Sequence, residues 1–352
     1  MADSSSKANS RLTKLSDFLT GSKTATAIPW DPDCTKFPTR SEVPRREDAP
    51  AGACWVWGQD DYLGRINLLT PTRVSAAAKE LRTGEIIPLN LPLNVPEVPA
   101  FAREQFKHEF RTLVEGVAYD DKYSLNTQSG TQWDGFRHIA HIPTETFYNG
   151  TKGKHIGGTE NDPNRCGIHH WAEHGIAASY MANPFEYYQI SYDELYKAGK
   201  AQGIDIRPVA QGGDIQIGDL LFIRSGFVQT YHTTPSDIRA AAALRPHSIG
   251  KTDGQRWAGV KQEDKMLDWL HDCYFSAVAG DAPSFEAWPS QEEYMLHEYI
   301  LALWGMPLGE MFDLEKLSQT CKEKGRWTFF VTSAPNNCVG GVASHGNALA
   351  IF

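Results

Sequence analysis

Capping residues and apolar periodicity predict four helices along the chain. Each begins at a Ser, Thr or Asp that can accept backbone N–H groups, and each ends near a glycine. Two of these starts, Ser191 with Glu194 and Ser290 with Glu293, have the spacing of a capping box. The predicted helices span 70–84, 191–203, 290–305 and 313–325.

Short apolar runs lie between these helices and predict strands. They cover 86–93, 219–227, 275–281, 328–335 and 347–352. Strands outnumber long helices and few βα units are regular, which argues against a doubly wound nucleotide-binding fold. We therefore expect an α/β protein in which one domain has a mixed, barrel-like β core flanked by helices.

The amino-terminal part of the chain differs from the rest. Residues 1–27 are polar and aperiodic, and residues 28–52 carry five prolines, which forbid a long helix. We expect a polar tail and a proline-rich extended arm over 1–54. No apolar segment has the length of a signal-peptide core or of the ~20 residues that span a bilayer. With six scattered cysteines and no CxxC pair, a cytoplasmic protein without a membrane partner is expected.

Charge and missing motifs exclude several classes of function. The 34 Lys and Arg residues are outnumbered by 43 Asp and Glu residues, and no basic run occurs, so nucleic acid is not an expected partner. The chain lacks the GxGxxG, P-loop and GxSxG patterns of dehydrogenases, NTPases and serine hydrolases. Residues 170–174 match the metallopeptidase pattern HxxEH, but Gly167 and Gly175 leave no room for a long ligand helix, which favours an accidental match.

The densest cluster of polar and aromatic residues lies at 126–141. Ser-Gly-Thr at its centre argues against a continuous helix, so a turn, a short strand and a helical turn are expected. On an extended segment Gln132 and Asp134 point to one face, and Gly135 allows a bend that brings His138 back over that face. Such a set suits proton transfer. The alternative is that the amides only satisfy turns and that the histidine is packed or solvated.

This stretch resembles the signature HxGTHxDxPxH of the cyclase / kynurenine formamidase-like family of metal-dependent hydrolases. Other segments resemble further blocks of that family in the same order, so the resemblance extends over about 55–352. These segments are 60–71, 218–227, 277–289, 296–297 and 329–352. The resemblance implies a single cyclase-like catalytic domain over 55–352, of the swivelling β/β/α type.

The resemblance also implies a set of site residues. In the family, two signature histidines and the aspartate hold zinc or manganese, the next histidine acts as acid/base, and a later His and Glu complete the site. Carried over by position, His138 is implied as the general acid/base, with Asp134 beside it. The implied metal candidates are Asp134, Gln128, Gln132, His297 and Glu310. For His297 the alternative is a core position on an apolar helix face.

Both histidine ligands of the family signature are glutamine here, at 128 and 132. An amide oxygen is a hard, weak ligand, so the remaining set suits Mn²⁺ or Mg²⁺ better than Zn²⁺ and would hold either loosely. The alternative is a site without metal, in which the glutamines bind a substrate carbonyl and His138 transfers protons. The expected cofactor is therefore none, or a weakly held divalent metal. A second departure, at 175–184, concerns the pocket wall.

Four residues are candidates for substrate binding: Gln128, Gln132, Trp133 and Asp281. Asp281 follows a predicted strand, where open sheets place ligand groups, although a turn-forming Asp before Pro283 is the alternative. Trp133 can line an aromatic pocket with Phe136, Trp171 and Trp288, although core packing is the alternative for each.

The leading hypothesis is a hydrolase that acts on a C–N or C–O acyl bond of a small, aromatic amide, lactam or lactone. A second hypothesis is a metal-free cyclase, dehydratase or isomerase of secondary metabolism on the same scaffold. A third is a binding protein that has lost its metal, against which the retained Asp134, His138, His297 and Glu310 argue. By resemblance alone, a homodimer or homotetramer is expected, and the arm at 28–52 is a candidate for crossing to a neighbouring subunit.

Overall fold

The computed structural model describes residues 29–171, 185–248 and 250–352. The α-helices in this part of the chain are α1 (Pro71–Ala77), α2 (Tyr192–Ala201), α3 (Phe227–Thr233), α4 (Ser236–Ala243), α5 (Asp264–Asp272) and α6 (Glu315–Lys324). Short 3-10 helices lie at Gly64–Leu68, Ala78–Glu80, Ile142–Thr144, Tyr148–Gly150, Gly153–His155, Ile168–Trp171 and Val209–Gln211, and a π-helix covers Glu298–Leu303.

The strands are β1 (Ile86–Pro88), β2 (Lys107–Val114), β3 (Ala118–Ser124), β4 (Gln132–Asp134), β5 (Gln189–Ile190), β6 (Leu220–Ile223), β7 (Gly259–Val260), β8 (Ala277–Gly280), β9 (Leu308–Glu310), β10 (Phe330–Ser333), β11 (Ala343–His345) and β12 (Ala348–Ile351). A mixed five-stranded sheet has the order β11-β4-β9-β8-β6, and an antiparallel three-stranded sheet has the order β1-β12-β10. Strands β2 and β3 form a hairpin, and β5 pairs with β7.

Two of the predicted helix starts are confirmed. The Thr70 hydroxyl accepts the N–H of Arg73 at the start of α1, and Ser191 forms the expected capping box with Glu194 at the start of α2. Helix α6 also ends as predicted, because Gly325 adopts a left-handed φ of 57° just after it.

The predicted capping box at Ser290 is wrong. The Ser290 hydroxyl donates to the carbonyl of Tyr294 instead, and regular helix begins only near Leu296. The free N–H groups of that helix start are bound by the carboxylate of Glu286, which accepts from Leu296 N at 2.7 Å and from His297 N at 3.0 Å. A side chain ten residues upstream thus takes the place of the local cap.

The predicted α/β class with a mixed sheet is confirmed, since all five predicted strand segments contain strands and helices lie between them. A barrel-like core is not confirmed. Among the described residues the strands divide between separate open sheets, and no strand pairing closes them into a barrel. Strand β8 and its parallel neighbour β6, which is the last strand in the order of this sheet, are almost completely buried, as expected for parallel strands covered on both faces.

Buried side chains form one large core and a smaller second cluster. The large core extends from Ala53 to Phe352 and includes residues of both larger sheets. The second cluster contains Trp257, Trp288, Met295 and Met311, against which Phe101 packs, together with other apolar residues. It forms an aromatic and aliphatic region separate from the main core.

The proline-rich arm contacts the body of its own chain. The guanidinium of Arg40 binds Asp264 and Asp268 on α5, and its backbone N–H donates to Asp272. The ring of Phe37 stacks on Tyr274, with the ring centroids 4.7 Å apart. In the structure this part of the arm is therefore held by the helix that it crosses.

The hairpin β2–β3 has no counterpart among the predicted strands. All of its strand residues are exposed except the partly buried Ala118. No helix in the described ranges is long and apolar enough to cross a membrane.

Candidate active site

Strand β4 brings the central polar residues together. It pairs with β11 on one side and with β9 on the other, so that all three of its residues are buried. Because side chains alternate along a strand, Gln132 and Asp134 share one face and Trp133 points to the other. The register places Gln132 directly opposite Glu310 of β9, and Gln132 Nε2 donates to Glu310 Oε2 at 3.1 Å and to Asp134 Oδ1 at 3.2 Å.

The turns on either side of β4 add Gln128 and His138 to this face. Gln128 Nε2 lies 2.9 Å from Asp134 Oδ1 and 2.7 Å from His138 Nδ1. The bend after the strand depends on Gly135, whose carbonyl accepts the N–H of His138. A Cβ at Gly135 would lie only 2.5 Å from the carbonyl oxygen of Val342, so the chain can pass here only with glycine. The convergence predicted for these side chains is present in the structure.

His297 approaches the same cluster from the start of the π-helix. Its Nε2 lies 3.2 Å from Glu310 Oε1 and 3.8 Å from Asp134 Oδ2, and its Nδ1 lies 2.6 Å from Glu286 Oε1. Burial alone would lower the pKa of His297, but the neighbouring carboxylates of Asp134, Glu286 and Glu310 outweigh burial and hold the pKa well above its ordinary value. His297 is therefore a buried cation among three carboxylates.

His138 has the opposite electrostatic character. Burial lowers its pKa to about 4, although the negative charge of Asp134 acts in the other direction. The ring is therefore neutral near pH 7. Because the Asp134 carboxylate can only accept hydrogen bonds, the nitrogen of the Gln128 amide faces it and also donates to His138 Nδ1. The proton of the neutral imidazole then lies on Nε2, which has no other hydrogen-bond partner among the described residues.

Two buried oxygen atoms of this cluster have no hydrogen-bond partner among the described residues: Gln132 Oε1 and Asp134 Oδ2. Orphaned buried acceptors indicate a bound water or cation. One ligand atom each from Asp134, His138 and His297 lies within 4.8 Å of the others, which is the spacing of a metal-binding group. With the orphaned amide oxygen this gives a mixed set of oxygen and nitrogen donors, and such a set fits a divalent cation.

The structure places Trp133 and Asp281 outside this cluster. Trp133 packs edge-on against Phe312 in the main core and donates from Nε1 to Ser333 Oγ at 2.9 Å. Asp281 is fully buried, and its carboxylate accepts the N–H groups of Ser225 and Gly226, the two residues before α3. These contacts indicate structural roles, in the core and at a helix start, and substrate binding by either residue stays a prediction.

The other aromatic candidates are divided between the two apolar clusters. Phe136 contacts Trp171 and Tyr148 in the main core, whereas Trp288 contacts Phe101 in the second cluster. Of the HxxEH segment, His170 binds the carbonyl of Asn164, and residues 172–174 lie outside the described residues, as does the segment at 175–184.

Two residues of the site escape sequence reasoning. Glu286 orients His297, and the only signal is an acidic residue within the apolar segment Phe285–Trp288. Arg103 donates from Nη1 to the carbonyl of Gln128 at 2.7 Å, and no local pattern distinguishes it from a surface arginine. Glu286 and His297 are eleven residues apart in the chain, and the hairpin lies between Arg103 and Gln128. Neither contact follows from a local sequence pattern.

Comparisons with known proteins agree with this arrangement. A solved structure described as a novel cyclase superposes with a TM-score of 0.70 at 23% identity, over 84% of this chain and 98% of its own. Isatin hydrolase A from Ralstonia solanacearum gives a TM-score of 0.51 at 16% identity, over 80% and 98%. An isatin hydrolase bound to the product analogue thioisatinate gives a TM-score of 0.50 at 13% identity, over 80% of this chain and 98% of its own. At these low identities, the superpositions show a common fold.

Among curated proteins, none matches this chain in sequence. The model of the cyclase family matches residues 87–287, which is more than half of the chain and includes β4, the turns on both sides of it and Glu286. The resemblance noted in the sequence is thereby confirmed, and the chain belongs to the cyclase family.

Proposed function

We propose that this protein is a hydrolase that cleaves a C–N or C–O acyl bond in a small, aromatic amide, lactam or lactone. The observation that carries the proposal is the pair of orphaned oxygens, Gln132 Oε1 and Asp134 Oδ2, beside the neutral His138. A water molecule bound by these acceptors would lie next to a carboxylate that can take its proton. The fold similarity to isatin hydrolases, which are named for a cyclic amide, supports the bond type.

The protein groups can move the protons without further help. Asp134 Oδ2 takes a proton from water as the water oxygen bonds to the acyl carbon and the carbonyl electrons move onto the substrate oxygen. His138 donates a hydrogen bond from Nε2 to that oxygen. When the intermediate collapses, the proton on Asp134 passes to the leaving nitrogen or oxygen and the acyl bond breaks. In this scheme Asp134 acts first as base and then as acid. His138 is a hydrogen-bond donor to the substrate oxygen, which differs from the general acid/base role that the sequence analysis expected for it.

A divalent metal would fit the same cluster. Asp134, Gln132, His138 and His297 would hold it, with Gln128 and Glu310 beside them, and this donor set suits Mn²⁺ or Mg²⁺ better than Zn²⁺. Each histidine would have to present an unprotonated ring nitrogen to the metal, so His297 would lose the proton that it carries without metal and His138 would change its tautomer. When bound, such a metal supplies Lewis-acid polarisation of the substrate carbonyl and acidifies water. Elemental analysis of the purified protein tests this part, since one equivalent of Mn or Mg per chain is the expected result for a metal enzyme.

The second apolar cluster supports an aromatic substrate. Ile139 and Met311 belong to it or pack against it, and they directly follow His138 and Glu310 in the chain. The polar residues of the site thus border an apolar wall that also contains Phe101 and Trp288. A planar apolar group can pack against such a wall while its carbonyl faces the polar cluster.

The test is a hydrolysis screen with aromatic amides, lactams and lactones, followed by paired variants. We expect Asp134→Asn and His138→Gln each to reduce kcat/KM by about 100-fold or more, because each removes a proton-transfer or hydrogen-bonding group. The matched control is His141→Gln, which changes a neighbouring histidine that binds Thr144 instead. Full activity of both site variants would refute the proposal.

One observation favours a second candidate function. The Gln128 amide fixes His138 as a hydrogen-bond donor, and this arrangement can polarise a carbonyl for a cyclase, dehydratase or isomerase reaction that needs no metal or water attack. Activity of a metal-free preparation in which labelled water oxygen does not enter the product would favour this alternative. Binding of aromatic ligands without any turnover would favour the third hypothesis, a binding protein without catalytic activity.

We also propose a homo-oligomer, for which the hairpin β2–β3 is the support. An isolated two-stranded hairpin is marginally stable in water, yet this one exposes 77% of Phe110 and 79% of Val117. The apolar side chains on both faces suit contact with a second copy. We expect the double variant Phe110→Glu, Val117→Glu to give monomers in light scattering, whereas Leu244→Glu, at an exposed position on another surface, keeps the wild-type mass.

A further inference from the structure

A guanidinium group lies at the edge of the acidic cluster without an ion-pair partner. Arg103 binds the carbonyl of Gln128 through Nη1 and packs over the ring of Phe101 at 5.1 Å. Among the described residues it has no other hydrogen bond and no salt bridge. Its Nε and Nη2 atoms are not completely enclosed, because neither is among the buried unpartnered atoms, although burial of the guanidinium lowers the pKa of Arg103. Arg103 therefore presents a positive charge and free donors beside the site.

The positive charge of Arg103 acts on Asp134, Glu310 and His138. Its guanidinium interacts electrostatically with Glu310 and Asp134, and its positive charge helps to lower the pKa of His138. The carbonyl that Arg103 binds also belongs to Gln128, the residue whose side-chain amide contacts both Asp134 and His138. Distance and charge thus connect Arg103 to the cluster rather than to the surface.

The backbone before Arg103 is held in an unfavourable conformation. Phe101 and Ala102 have φ values of 57° and 56°, in the left-handed region that residues with a Cβ rarely adopt. Edge-on contacts of the Phe101 ring with Trp288 and His247, at 5.4 Å and 5.0 Å, hold this turn in place. Local strain of this kind persists only where the surroundings impose it, and it is commonly found at functional sites.

We propose that Arg103 is a catalytic residue that stabilises the negative charge of the substrate oxygen in the tetrahedral intermediate. This inference rests on the proposed hydrolysis. The buried carboxylates of Asp134, Glu286 and Glu310 outnumber the single His297 cation and would repel that charge, so a second positive group is needed beside it. As the proton moves from water to Asp134, one negative charge leaves the carboxylate and appears on the substrate oxygen, and Arg103 with His138 Nε2–H receives it.

The experiment compares Arg103→Ala and Arg103→Lys with the wild type. The control is Arg239→Ala, because Arg239 also packs over an aromatic ring, that of Tyr231 at 4.2 Å, but lies outside the cluster. We expect Arg103→Ala to lower kcat by about 100-fold with little change in KM, and Arg103→Lys to lower it less. Added guanidinium ion at millimolar concentration should restore at least part of the lost kcat in Arg103→Ala alone, which a merely structural role would not produce.

A binding measurement keeps this inference separate from the proposed function. Phenylphosphonate carries an anionic tetrahedral group, whereas benzamide is neutral and planar, and titration calorimetry can compare the two without turnover. We expect the wild type and Arg239→Ala to prefer phenylphosphonate, and Arg103→Ala to lose that preference while still binding benzamide. If no substrate in the screen is hydrolysed, the proposed function fails. If kcat or the phosphonate preference is unchanged in a folded Arg103→Ala protein, the role of Arg103 is overturned.

Discussion

Gln128 determines which nitrogen of His138 carries the proton. The amide nitrogen lies 2.7 Å from His138 Nδ1 and is held in that orientation by Asp134, 2.9 Å away. The resemblance to the family signature implies that this position is a metal-binding histidine in other members. Here the same place in the fold carries a hydrogen-bond donor, and the neighbouring imidazole becomes a neutral donor in turn. The replacement at one position therefore changes the chemistry of the next.

Placing histidine at both signature positions should create tight binding of zinc. Gln128→His with Gln132→His adds two nitrogen ligands next to Asp134, and we expect the affinity for Zn²⁺ to rise by about 100-fold or more. Competition with a fluorescent chelator measures the change. The control, Gln216→His with Gln319→His, adds two histidines at exposed positions. An affinity no higher than that of the control would show that the cluster cannot hold the metal in this fold.

Buried His271 should make stability depend on pH. Burial lowers its pKa to about 4, whereas a histidine in the unfolded chain titrates near 6.5. As the pH falls from about 6.5 to about 4, the unfolded chain takes up a proton that the folded protein does not, so the contribution of His271 to the free energy of unfolding decreases. We expect the stability advantage of the wild type over His271→Gln to shrink by about 3 kcal/mol across this window.

The comparison with a variant is necessary because other groups change in the opposite direction. Burial raises the pKa of Asp219 and of Asp281 to about 6, so these carboxyls favour the folded state increasingly as the pH falls. Urea unfolding of both proteins at a series of pH values isolates His271. A difference in stability that stays constant from pH 7 to pH 4 would contradict the prediction.

Removal of Glu286 should destabilise the protein as well as the site. Its carboxylate accepts from Gln262 Nε2, from two backbone N–H groups and from His297 Nδ1. Glu286→Ala leaves these buried donors unpaired, and we expect a loss of about 3 to 5 kcal/mol in urea unfolding. Glu286→Gln keeps one acceptor and should lose less. Glu292→Ala, at an exposed position nearby, should be close to neutral.

Two glycines with the same backbone conformation should tolerate alanine very differently. Gly305 and Gly325 have φ values of 59° and 57°, so both substitutions carry a similar backbone cost. At Gly305 a Cβ would lie 2.2 Å from the ring of Tyr148, which is buried and hydrogen-bonded to Asp61, whereas at Gly325 no atom lies within 4 Å. We expect Gly305→Ala to lower the melting temperature by several degrees more than Gly325→Ala. Equal shifts would show that Tyr148 can move.

The sequence predicted those parts of the fold and site that depend on neighbours in the chain. Alternation along an extended segment places Gln132 and Asp134 on one face, and the glycine after them allows the bend to His138; the structure contains both features. The capping box at Ser191 is equally local and was predicted correctly. Such patterns depend on side chains a few residues apart, and a single sequence shows them directly.

The features that the sequence did not predict depend on contacts between residues that are not close neighbours in the chain. The helix start near Leu296 is capped by Glu286 rather than by Ser290, and no local pattern distinguishes the two residues. The barrel-like core was expected from the number of strands, but their pairing into separate sheets is a long-range property. The hairpin was missed because neither of its faces is buried in the chain, so it has no alternation of apolar and polar positions.

The hairpin is attached to the site at both ends. The pair of residues at the open end of the hairpin is Lys107 and Ser124. Arg103 lies four residues before Lys107, and Gln128 lies four residues after Ser124. A partner that binds the hairpin would therefore restrict the motion of the backbone that carries the side chains of Arg103 and Gln128. If the chain self-associates there, turnover per molecule will fall when the enzyme is diluted below the dissociation constant of the oligomer. Recovery of turnover on concentration will show that quaternary structure and chemistry are linked through this hairpin.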